Sequence, residues 1–123
     1  MALLDNTVFD SGLSVLDTLA DILYICSTAP TTYTEASATY ALGSKAGPTV
    51  SAPADAPGGG RMVTVSAITD GTVTATGTAA YWALCDVSET RLLAAGDRSA
   101  SQRVTSGNTF TLTEFTITIP DPA

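Results

Sequence analysis

Near the amino end, apolar residues first recur at helical spacing. Between Asp5 and Asp21, Phe9, Leu13, Leu16 and Ala20, then Leu23, stand three or four positions apart, while Asn6, Asp10, Ser14, Asp17 and Asp21 mark a polar side. That periodicity predicts an amphipathic helix. Asp5 suits its N-cap, with Leu4 before it and Phe9 after it at the staple positions. Gly12 in the interior costs on the order of 1 kcal/mol. The period then shortens: "ILYIC" (Ile22 to Cys26) is β-branched, aromatic and closed by "STAP", which predicts a buried strand.

A weaker helical signal follows in "TTYTEASATYALG", where Thr32 and Glu35 stand at capping-box spacing and Gly43 offers a stop. From Ser44 to Gly60 the chain holds three prolines and four glycines, which predicts a long loop (44–60) with at most a short extended piece around Thr49 and Val50. Strand patterns dominate after Arg61. "RMVTVSAI" and "TVTATGTAAYWALCDV" flank Asp70-Gly71, a hairpin signal because glycine accepts positive φ without a steric cost. "SETR" predicts a second turn, leading into "RLLAAG". In "NTFTLTEFTITIP", Phe110 and Leu112 share one parity and Phe115, Ile117 and Ile119 the other, which suggests a β-bulge near Glu114. The expected fold is mainly β with one N-terminal helix: a small antiparallel β-sandwich or barrel, one domain spanning 1–123.

Composition narrows what such a domain does. Hydrophobic residues make up 45% of the 123 and charged residues 14%, enough apolar surface for one core. The net charge of −7 and the scatter of Lys45, Arg61, Arg91, Arg98 and Arg103 argue against nucleic acid and against an anionic membrane surface. "MALLDNTVFDSGL" lacks a basic, then apolar, leader, so assembly in a cytoplasm is the expectation.

The chemistry-bearing residues read as structure. "AAYWALCDV" is apolar on both parities, so Trp82, Leu84 and Cys85 are expected in the core, together with Phe115 and Ile117. A nucleophilic Cys85 would need a cation or imidazole beside it, and the chain contains no histidine. The same lack leaves zinc without a ligand pattern. "PGGGRMV" lacks the Lys-Ser/Thr of a phosphate loop and leads into a strand. Asp10, Asp17 and Asp21 sit at helical spacing without the alternating oxygen ligands of a calcium loop, which favours a solvated helix face. No cofactor, metal or catalytic residue is expected.

The order "GLSVLDTLADILYICSTAPTTYTEASATYALG", "GRMVTVSAITDGTVTATGTAAYWALCDVSETRLLAAG" and "VTSGNTFTLTEFTITIPD" resembles small virion structural proteins of tailed phages and prophages, in which "DGTVTATGTA" beside a Trp-Ala-Leu strand and "SGNTFTL" recur. The resemblance implies a noncatalytic capsid decoration or head fibre-like subunit located in the virion, with a capsid or tail protein of the same particle and further copies of itself as partners. The alternative is a surface-recognition module for a cell-surface glycan or protein. Leu3 has no intrachain partner at staple spacing, so Leu3, Leu4, Val8 and Phe9 are the expected contacts with a second copy or a capsid subunit.

Overall fold

Helical spacing and strand alternation resolve into one N-terminal helix and two antiparallel sheets in a sandwich-like arrangement. The computed structural model describes residues 6–120, the side chains of residues 6–9 and 99 excepted. Helix α1 spans Asn6–Leu19, β1 Ile22–Cys26, a π-helical turn Glu35–Thr39, β2 Ala41–Ala46, β3 Ala54–Asp55 and β4 Arg61–Val65. β5 (Ile68–Val73), β6 (Gly77–Asp86), β7 (Arg91–Val104), β8 (Thr109–Leu112) and β9 (Phe115–Ile119) follow. The large sheet runs β7-β6-β1-β2-β5-β8 and the small one β3-β4-β9.

Leu13 and Leu16 of α1 are buried and join the core between the sheets, alongside Leu23, Ile25, Val63, Val65, Trp82, Leu84 and Phe110. Arg61 pins the helix to the small sheet: its Nε and Nη2 donate to the two carboxylate oxygens of Asp10 at 2.9 and 3.2 Å, and its Nη1 to Asp55 at 2.7 Å. Asp10, on the polar side of the helix, is therefore a docking residue. The proposed Asp5 cap lies outside the described residues, as does the side-chain staple of Leu4 on Phe9.

Four local expectations are corrected. Asp70-Gly71 is no hairpin but the middle of β5, where Asp70 pairs with Lys45 at 3.0 Å and a Cβ on Gly71 would overlap the ring of Phe110. Glycine serves close packing there. Gly43 likewise stops no helix: it lies within β2, where a Cβ would meet the carbonyl oxygen of Thr72 at 2.3 Å. The 44–60 loop is shorter than expected, because β2 runs to Ala46 and Ala54–Asp55 pairs with Arg61 and Met62 across a turn at Gly59 and Gly60, both at positive φ. Val50 does form an isolated bridge, to Val65.

The parity change near Glu114 marks a corner. Val65 pairs with Phe115 in the small sheet and Ile68 with Leu112 in the large one, so β4–β5 and β8–β9 form one antiparallel ribbon that keeps its register across the corner. The ribbon bends at Ser66-Ala67 and Thr113-Glu114, as strands do when they switch sheets. The register shift itself lies between Ile68 and Gly71.

The weak helical signal at Thr32–Glu35 becomes the π-helical turn. The Glu35 amide donates to Thr32 Oγ1 at 3.1 Å, and the Glu35 carboxylate accepts from the amide and hydroxyl of Thr31, each at 2.8 Å. The reciprocal bond of a capping box thus goes one residue further back. The Thr31 amide, then its hydroxyl, holds Glu35 below the usual carboxylate range.

Candidate functional site

The two edge strands of the large sheet, β7 and β8, are consecutive in the chain yet do not pair. The Thr105–Asn108 turn joins them and bonds to the end of β5, through the Gly107 amide to Val73 O and the Val73 amide to Asn108 O, both at 3.0 Å. Beyond it a seam stays open. β7 also bulges outward: Gln102 pairs with Ala79 and Asp97 with Tyr81, so residues 98–101 stand opposite Ala80 alone. That bulge lifts Arg98 out of the ladder and across the seam, where its Nη2 donates to Thr111 O at 2.8 Å and to Gln102 Oε1 at 3.2 Å. Its Nη1 donates to Ala79 O at 3.4 Å.

Every acceptor of Arg98 among the described residues is neutral, and its Nε is buried with no partner there. Burial lowers its pKa from the ordinary arginine value. Two adjoining cavities flank it. One, of about 190 Å³, is lined by Arg98, Ser101, Gln102, Thr111 and Thr113 among others, with Arg98 its sole charged lining residue. The other, of about 160 Å³, has Trp82, Leu112 and Phe115 as apolar lining and Asp97 and Glu114 beside them. The Trp82 and Phe115 rings lie with centroids 4.3 Å apart at 33°. Gly96 makes room for the indole, since a Cβ there would stand 2.8 Å from Trp82 Cζ2.

Trp82, 7% exposed, and Leu84 are in the core between the sheets, with Phe115 and Ile117 partly buried against it. Cys85 points the opposite way. It belongs to a second apolar cluster on the outer face of the large sheet, with Cys26, Ala36 and Ala83 buried and Tyr24, Tyr33, Tyr40, Tyr81 and Leu92 packed around them. These are all four tyrosines of the chain. Both cysteines are free. Ile22 pairs with Cys85 and Cys26 with Tyr81, which sets the thiols four residues apart along β1. At ~3.3 Å per residue this is about 13 Å, beyond the Cα separation of roughly 4.4–6.8 Å that a disulfide spans. Burial pushes Cys26 up to about 12, with Cys85 adding to it, and Cys85 up to about 11. Cys26 Sγ donates to Ala36 O at 3.6 Å.

Outside these faces, three large apolar side chains stand out as exposed among the described residues: Val15 (38%), Leu19 (37%) and Val87 (44%). Val15 and Leu19 are one turn apart on α1. Asp21, two residues past Leu19, accepts the Val87 amide at 3.1 Å, which ties the start of the β6–β7 turn to the exit of α1. Of the expected contact residues, Leu3 and Leu4 lie outside the described residues. Val8 and Phe9 fall in the first turns of α1, with side chains outside them too.

Sequence reasoning missed the Arg98 seam. Its one local sign is "GDRSAS", an arginine among small residues, and that pattern does not reveal that its strand ends the sheet. It also missed the exposure of Val15, Leu19 and Val87, which depends on how the helix and the β6–β7 turn pack. No group of three or more Cys, Asp or Glu residues able to hold a metal occurs among the described residues. Comparison with protein-family models, curated proteins and solved structures finds no match.

Proposed function

We propose that this chain is a noncatalytic structural subunit of a phage virion, a capsid decoration or head fibre-like protein that binds the particle and self-associates. The observation that carries the reading is the exposure of Val15 and Leu19, two large apolar side chains one turn apart on α1, on a molecule whose reactive groups have structural uses. A clustered apolar surface is stabilised by being covered. The thiols are buried and protonated at neutral pH, Glu35 caps a turn, and Arg61 docks the helix. The segment Met1–Phe9 docks on a second copy or on a capsid subunit, with the sheets turned outward. The test is sedimentation of particles from the strain that encodes the chain, with immunogold labelling. Virion association puts a fixed copy number in the particle band; a chain that stays wholly in the soluble fraction contradicts it.

A second reading, a recognition module for a cell-surface glycan or protein, is favoured by the seam. It offers an arginine without a carboxylate partner among the described residues, hydroxyls on both sides and an aromatic pair beneath, a combination suited to an acidic sugar or a peptide carboxylate. Arg98→Ala abolishes binding to host cells on that reading and leaves particle association unaltered on the first.

A further inference from the structure

Asp86 is 1% exposed and the one buried charged residue among those described. Its Oδ1 is well supplied, accepting from the Ser88 hydroxyl at 2.7 Å, the Ser88 amide at 3.1 Å and the Glu89 amide at 3.4 Å. Its Oδ2 is buried with no partner. The next amide back, that of Val87, donates instead to Asp21 Oδ2 at 3.1 Å. Two carboxylates thus converge on successive amides of one turn, and the Asp21 carboxyl is a hydrogen-bond neighbour of Asp86.

The Ser88 hydroxyl, foremost among its donors, holds Asp86 below the usual carboxylate range, so it is charged at neutral pH. Arg91, its cross-strand partner, is exposed and forms no ion pair with it among the described contacts. A buried carboxylate facing a second carboxylate, with no cation between them among the described residues, calls for a positive charge from outside.

We propose that Asp21 and Asp86 form a divalent-cation site that takes calcium, clamping the exit of α1 to the β6–β7 turn. Asp86 Oδ2 supplies a buried ligand and Asp21 an exposed one through which the ion enters. Water completes the shell, as oxygen-ligated calcium tolerates. Two carboxylates make a weak site, with a dissociation constant on the order of 10⁻⁴–10⁻³ M. The site goes beyond the structural role proposed above: Val87 follows Asp86 directly and Leu19 lies two residues before Asp21, so calcium would order the exit of α1 as well as the turn.

The experiment is a calcium titration of the chelator-treated full chain, followed by calorimetry and by thermal unfolding, with sodium chloride matching ionic strength. The expected result is saturable binding near one ion per chain and a midpoint raised by several degrees at about 10 mM calcium. Asp21→Asn, which keeps an acceptor for the Val87 amide at an exposed position, should fold and lose the calcium response. Asp86→Asn should lose it too. A wild-type midpoint indifferent to calcium overturns the site. So does a wild type stabilised by mild acid but not by calcium, since a shared proton would then neutralise the pair. A calcium response retained in Asp21→Asn overturns the assignment as well.

Discussion

A Cβ built on Gly71 would fall 2.1 Å from Cε1 of Phe110, whose side chain is fully buried. Gly71→Ala must therefore displace the ring or β5, and overpacking of this kind costs about 1–3 kcal/mol. Urea unfolding should show a lower midpoint at unchanged slope; an unaltered midpoint would mean that the ring turns aside freely. The thiols set a pH window. Folded values of about 11 for Cys85 and about 12 for Cys26 lie above the roughly 8.5 of a free thiol. With the folded values raised, this contribution to stability is fully present below about pH 8.5 and is lost as pH climbs through the folded values. Thermal midpoints should be level from neutrality to that point and then fall. Reductant should leave them unchanged, whereas a lower midpoint on reduction would reveal a crosslink.

At the scale of elements, β6 and the β4–β5/β8–β9 ribbon hold the two sheets to one core. Trp82→Ala removes the indole that lies against Phe115 and over Gly96, and loss of a buried aromatic costs about 3–5 kcal/mol. Guanidinium unfolding should register that loss; a soluble mutant of unchanged stability would place Trp82 outside the core. "ILYIC", "RMVTV" and "AAYWALCDV" were legible as strands because their apolarity is dense enough to decide locally. The "SETR" turn was legible because polar residues there interrupt two apolar strands, and Asp86 and Arg91 close a hairpin over it. Asp70-Gly71 misled because a glycine required by a neighbouring ring carries the same local signature as one required by a turn. The corner at Thr113-Glu114 and the bulge at 98–101 depend on which strands become edges and which switch sheets. Distant segments decide that, and a single stretch does not encode it. The Asp21 and Asp86 pair was hidden likewise: Asp21 was read as one more residue on a polar helix face, and its partner lies on another hairpin.

For the whole molecule, surfaces matter more than reactive groups. The net charge of −7 opposes binding to nucleic acid, and the exposed Val15 and Leu19 near the exit of α1 are where a covering neighbour would add most. A chain lacking residues 1–9 should keep its sheets, since Leu13 and Leu16 supply the described helical contribution to the core. Far-ultraviolet dichroism of the truncated chain should retain its β signature, and a spectrum of disordered chain would show that the segment is part of the fold. Self-association is the central claim, and light scattering coupled to size exclusion tests it most directly on the full chain and on the truncated one. The account predicts a defined multiple of the single-chain mass for the full chain and the single-chain mass for the folded truncation. A full chain that runs at the single-chain mass at every concentration would contradict it.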